Sequence, residues 1–222
     1  MLHTYVALVP GHGARVSPDG HRAFHDPGAR AVAQDGEGRS ETLIEEDRVR
    51  VLANRLKRRL MFAGVPCGIH DAASPSPDTD PARSYRRRCL DAVRAGMASG
   101  ADRILVVHVH LNAGGGRYPL AIHHPGEAET ADWCGHIEAA LDALPGLDRR
   151  KGPSTVVDFP RARGLIEAAW QAGKACAPRP VHAMVLEAAF LDQPAHWPLL
   201  SDGGLDLIAD AVLSGLRAAG VV

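Results

Sequence analysis

The stretch Ile104–Gly116, ILVVHVHLNAGGG, constrains this chain more than any other. Ile104 to Val107 is an unbroken aliphatic run, the pattern of a strand buried on both faces. His108 and His110 then occupy alternating positions before the run breaks at Asn112 into Ala-Gly-Gly-Gly. Side chains on a strand alternate between faces, so the two histidines point the same way. They sit at the strand's C-terminal end, where open α/β sheets bind their ligands. Two neutral imidazoles on one face can reach one metal ion. The pair by itself is equally well read as hydrogen-bonded histidines beside a loop, and the remainder of the chain decides between the two.

The 222 residues suit one domain spanning 1–222, with ordinary apolar (45%) and charged (23%) content for a globular protein. A net charge of −1 supplies no basic field for nucleic acid or an anionic membrane. Cys67, Cys89, Cys134 and Cys176 form no CxxC pair and are expected to be free thiols of a reducing compartment. The opening MLHTYVALVP runs straight into a strand, without the basic and long apolar regions of a signal peptide, so cytoplasmic synthesis is expected. No segment approaches the roughly 20 apolar residues of a membrane span.

Tyr5–Val9 is a short buried strand closed by Pro10-Gly11-His12-Gly13, and the flanking glycines allow a sharp turn at His12. Arg15 to Arg39 is polar and glycine-rich, with HDPGAR at its centre, and is expected to be one long loop over the sheet edge. Its His21 and His25 are expected at the surface. Val49, Leu52, Ala53, Leu56 and Leu60 define the buried face of a helix. Glu45 lies one turn before Val49 on that face, whereas Glu46 is rotated by about 100°. Helix rules alone favour Thr42 and Glu45 as a capping box, with Glu45 facing the crevice as the alternative.

Val65–Ile69 is an edge strand, as Pro66 suggests. A proline-rich loop over Ala72–Pro81 leads to a helix from about Ala82 to Ser99, with Arg86–Arg88 on its solvated side. After the triple glycine come an edge or antiparallel strand, Tyr118–His123, a helix over Glu127–Leu144 and a short helix over Arg161–Gly173. Val181–Leu186 is a last buried strand ending in Glu187, and Leu205–Leu216 is a closing amphipathic helix. A buried acid needs a partner or a task, so Glu187 is either ion-paired to an arginine or functional.

His12, Glu45, His110 and Glu187 thus arrive from four segments, three of them strand ends that a parallel sheet brings to one edge. Two histidines and a carboxylate leave one position of a zinc ion open for water. Zinc acidifies that water and polarises a carbonyl, and a second carboxylate can act as general base and then proton donor.

The motifs in this order resemble the catalytic domain of the zinc-dependent N-acetylmuramoyl-L-alanine amidases, amidase type 3. VPGHG corresponds to the family's D-x-G-H-G pattern, and HDPGARA followed by Glu45 to its DPGA-like piece and helix-starting glutamate. His108-Val109-His110-Leu111-Asn112 corresponds to S-x-H-x-N, and LEAAFLDQ at 186–193 to V-E-x-G-F-x-x-N. The likeness runs from Tyr5 to Leu216. It implies an α/β fold, a mostly parallel twisted sheet of about five to six strands flanked by helices on both faces. It also implies zinc held by His12, Glu45 and His110, Glu187 as catalytic acid/base, and His108 and Asn112 as supporting residues around the metal. The implied reaction hydrolyses the amide between the lactyl group of N-acetylmuramic acid and L-alanine of the stem peptide.

Three positions depart from the pattern: Val9 stands for an aspartate, His108 for a small residue, and Ala188-Ala189 for a small polar-glycine pair. His108 lies two residues deeper than His110, about 7 Å along the strand, so packing, or a hydrogen bond that supports a ligand, is expected of it. With no wall-binding domain read in the chain, the expected partner is peptidoglycan or a muropeptide, met by a monomer acting as an endolysin or on wall fragments. Neither nucleic acid nor membrane is expected as a partner. The rival readings are a zinc carboxypeptidase, whose carboxylate-binding arginine no motif identifies, and a silent domain that binds wall fragments.

Overall fold

The chain enters on β1 (Thr4–Pro10), and two short hairpins follow: β2 (Gly13–Val16) with β3 (Ala23–Asp26), then β4 (Arg30–Gln34) with β5 (Ser40–Ile44). Next come α1 (Glu45–Phe62), β6 (Cys67–Ile69), α2 (Pro81–Ala98), β7 (Arg103–Asn112) and β8 (Leu120–Ile122). The chain closes with α3 (Ala128–Leu141), α4 (Pro160–Cys176), β9 (Val181–Phe190), α5 (Trp197–Leu200) and α6 (Asp202–Ala218). This computed structural model describes residues 2–16, 23–26, 28–34, 40–71, 81–150 and 154–222.

Five strands form the central sheet in the order β6-β1-β7-β9-β8. Neighbours pair in parallel except β8, which runs antiparallel to β9 at the edge. Strand parity divides the core in two. Val6, Leu8, Leu105, Val107, Val109, Met184 and Leu186 pack with α1, α3 and α6. Tyr5, Ala7, Val9, Ile104, Val106, Ala183 and Val185 pack with α2 and α4 on the other face. The expected α/β sheet with helices on both faces is therefore the observed one, and the uninterrupted aliphatic runs follow from burial on both sides. All four cysteines are free, and no helix among the described residues is long and apolar enough to cross a membrane.

Four local expectations need correction. The stretch expected as one loop over Arg15–Arg39 carries strands over most of its described residues, in β2, β3 and β4. In β4, exposed Arg30, Val32 and Gln34 alternate with Ala31 and Ala33, which pack against the core. Alanine is too weakly apolar for that two-residue period to stand out among glycines. The capping box is absent, because Thr42 pairs with Val32 in the β4–β5 ladder and α1 begins only at Glu45, with Ile44 at the N-cap. The helix expected to be short over Arg161–Gly173 is 17 residues, started by Pro160, whose missing N–H costs nothing in a first turn. Finally, Arg88 is buried rather than solvated, at 4% exposure, because it stands three residues after Tyr85 and shares its helix face. Most of the expected Ala72–Pro81 loop, and His21, fall outside the described residues.

Candidate active site

Parity also places the polar residues. His108 and His110 follow Ile104 and Val106 onto the α2/α4 face, and Glu187 follows Ala183 and Val185 onto the same face. His110 and Glu187 are direct register partners across β7 and β9. The end of β1 lies against β7, where the Gly11 N–H donates to the Val109 carbonyl at 2.7 Å. A side chain at Gly11 would come within 2.3 Å of the His110 ring, so its absence lets the backbone reach the imidazole. The turn itself is made by His12, which adopts φ 63°, the left-handed region unusual for a residue with a Cβ.

Glu45 reaches this edge from the opposite face, through the first turn of α1. The β4–β5 hairpin folds the chain back so that Arg30 pairs with Ile44 and Ala29 lies beside Glu45. The Glu45 N–H donates to the Ala29 carbonyl at 3.0 Å, and the Ala29 N–H donates to Glu45 Oε2 at 2.9 Å. The Leu111 N–H donates to Oε1 at 3.2 Å, fixing the carboxylate against β7. Oε1 lies 2.9 Å from His12 Nε2 and 3.4 Å from His110 Nδ1. One donor atom from each of His12, Glu45 and His110 lies within 4.8 Å of the others, a group able to hold a metal ion. Gly28, at φ 71°, completes the cradle: a Cβ there would come within 2.6 Å of Glu45 Oε2 and 2.7 Å of the His12 ring. Glu46, the neighbour that helix geometry sets aside, is ion-paired to Arg50 at 2.9 Å.

The two carboxyl groups of the site hold opposite charge states. Burial alone would favour protonated Glu45, but hydrogen bonds and charge from His110 and His12 outweigh it and hold the pKa at about 2. Glu187 has no such support. Among the described residues its buried Oε2 has no hydrogen-bond partner and no arginine pairs with it. Burial, reinforced by the Glu45 charge, pushes its pKa up to about 8. Glu187 therefore carries a proton at neutral pH in the metal-free protein, an arrangement typical of acid/base groups.

All four residues line one cleft of about 750 Å³, walled by Tyr85 of α2, Tyr118, and Arg161 in the first turn of α4. Asn112 also lines it, although its Oδ1 accepts from its own neighbour's N–H, that of Ala113, at 2.8 Å. The next two amides, those of Gly114 and Gly115, both donate to Asp192, which anchors the glycine turn. His108 is wholly buried behind the cleft, with Nε2 3.9 Å from the Cys89 Sγ and its ring 6.4 Å from that of Tyr85. Burial, then the charges of His110 and Arg88, press its pKa down to about 3, so it is a neutral packing group. His25 lies on β3, its side chain outside the described residues. Arg161 went unnoticed in sequence because no motif marks it; Pro160 opening a helix was the available signal.

Two outcomes follow from these environments. A raised carboxyl pKa stabilises the fold fully below the unfolded value, near 4.5, and the stabilisation is lost as pH rises through about 8. Metal-free protein should therefore lose melting temperature as pH rises from about 4.5 to about 8 and level off above that, and Glu187→Gln should flatten that loss in calorimetric scans. His108→Ser should cost about 2–4 kcal/mol of stability through the cavity it leaves, measured by urea unfolding.

No family profile and no curated protein matches the sequence. Solved structures do match the fold. The catalytic domain of an endolysin targeting Clostridia difficile superposes with a TM-score of 0.63 at 15% identity, covering 97% of this chain and 98% of that one. The N-acetylmuramoyl-L-alanine amidase AmiC2 of Nostoc punctiforme gives 0.61 at 15% identity, with 99% and 98% covered. The CwlD amidase of Clostridioides difficile, solved with the GerS lipoprotein, gives 0.61 at 14% identity and 98% coverage of both chains. Strand order, flanking helices and full-length superposition together give this chain the fold of the N-acetylmuramoyl-L-alanine amidase catalytic domains.

Proposed function

We propose that this chain is a zinc-dependent N-acetylmuramoyl-L-alanine amidase acting on peptidoglycan or its soluble fragments. The observation that carries the reading is Glu187, a carboxyl with one buried, unpartnered oxygen among the described residues, in register beside the His12–Glu45–His110 group. That donor set suits zinc: two imidazoles and one carboxylate already held ionised, on a cradle that only glycine fits at position 28. Zinc bound there supplies Lewis-acid polarisation of the scissile carbonyl and acidifies water. A cation held at that group would favour the ionised form of Glu187, which would then take the proton of the attacking water and deliver it to the departing nitrogen. The lactyl carbonyl gains a C–O bond and loses its C–N bond, leaving a muramyl carboxylate and a stem peptide with a free L-alanine amine.

Arg161 supports a peptide substrate. Its exposed guanidinium lines the cleft and makes no ion pair with the described residues, so it is available to a stem-peptide carboxylate. The same arginine is the feature a carboxypeptidase would need, which keeps that second reading open to one test. Mass spectrometry of defined muropeptides after incubation separates them: muramyl–alanine cleavage is expected, whereas loss of a C-terminal residue would select the peptidase.

Zinc analysis should find about one equivalent per chain, as a three-ligand site requires, and His110→Ala should abolish it. Glu187→Gln should keep the zinc and lose at least about 10²-fold in turnover, a usual share for general acid–base catalysis. Loss of zinc in that variant would make Glu187 a ligand instead. Arg161→Ala should keep zinc and raise KM about 2- to 10-fold, the modest effect of an exposed ion pair, only for muropeptides with an ionised carboxylate.

A further inference from the structure

We infer that Tyr85 and Arg88 of α2 are positioning residues that clamp the His12 turn in the conformation its imidazole needs to join Glu45 and His110. The inference rests on the metal-site reading above and adds residues that the ligand set does not contain. His12 holds φ 63°, a conformation that L-residues adopt at a cost and keep only where their surroundings fix it. Here both of its main-chain polar groups are held from one helix. The His12 N–H donates to the Tyr85 hydroxyl at 3.2 Å. One terminal nitrogen of Arg88 donates to the His12 carbonyl at 3.1 Å, and the other to the Pro10 carbonyl at 2.9 Å. Three hydrogen bonds therefore fix residues 10 to 12 between the end of β1 and the ligand.

The clamp is itself held rigid. Arg88 is buried beside the wholly buried Cys89 and His108, and its guanidinium carbon lies 5.0 Å from the Tyr85 ring centroid. Burying a guanidinium is costly unless its donors are engaged, and a planar fork can serve two carbonyls at once where an ammonium cannot. Its neighbours Arg86 and Arg87 are exposed, as a solvated helix side requires. The buried one is the one that reaches the ligand turn. With the backbone fixed, His12 Nε2 stands 2.9 Å from Glu45 Oε1. Without the clamp, relaxation of His12 toward negative φ would carry the ring away and leave two ligands instead of three.

The test measures zinc affinity by chelator competition on the full chain, alongside amide hydrogen exchange at His12 in the metal-free protein. Tyr85→Phe keeps the ring and removes only the hydroxyl; it should weaken zinc binding about 3- to 10-fold, the effect of one hydrogen bond. Arg88→Lys keeps the charge but not the fork, and should weaken it about 10- to 100-fold, as loss of a partner that orients a metal ligand does. Both should speed exchange of the His12 amide, and the metal-free melting temperature of Tyr85→Phe should stay near that of the parent. Arg86→Met, on the exposed side, should change neither readout. Parent-like zinc affinity and His12 exchange in Tyr85→Phe would overturn the clamp, and that variant decides alone if Arg88→Lys does not fold. If the parent chain binds no zinc, the metal-site reading fails. The clamp is then judged by exchange, supported by a faster His12 amide in Tyr85→Phe and overturned by an unchanged one.

Discussion

The structure depends on one buried charge, the carboxylate of Glu45. It sits at the first turn of α1, where the helix dipole favours an anion. Four groups from three segments converge on it: the Ala29 amide at the start of the β4–β5 hairpin, the Leu111 amide and His110 from β7, and His12 from the end of β1. A buried carboxylate without such partners would be protonated or expelled. With them it is ionised, and the same partners determine how β1, β7 and α1 meet. The site and the junction of the two faces of the fold are thus one arrangement.

Against Glu45 stands Glu187, the same functional group in an opposite environment. One carboxyl is surrounded by donors and positive charge; the other lies in β9, three residues before its end, with one oxygen buried and unpartnered among the described residues. Two carboxyls whose environments drive their pKa values apart divide binding from proton transfer. Only a few ångströms of sheet geometry separate the roles, because His110 and Glu187 are register partners on one face. A one-residue slip of β9 would turn Glu187 into the opposite core and leave the cleft without its acid.

Much of this arrangement is legible in the chain itself. Alternation in VHVH orients both histidines, and the 3.6-residue period of α1 separates Glu45 at the crevice from Glu46, which pairs with Arg50. What escapes notice depends on contacts that are remote in sequence. Thr42 followed by Glu45 has the form of a capping box, and only pairing of Thr42 with Val32 shows that the segment is still a strand. Flanking glycines suggest that they make the turn at position 12, yet His12 itself carries the positive φ, since α2 supplies the bonds that hold it. Arg88 is hidden by its neighbours' charge, although its spacing from Tyr85 already places it on the buried face.

X-ray absorption at the zinc edge of the loaded protein tests the central claim, that Glu45 and two histidines form the metal centre. A centre of Glu45, His12 and His110 gives a shell of nitrogen and oxygen donors at about 2.0–2.2 Å, with imidazole scattering from two histidines and no sulfur. A sulfur shell at about 2.3 Å would place the metal on cysteine, and a spectrum without imidazole scattering would remove His12 and His110. Either result would contradict the arrangement around Glu45.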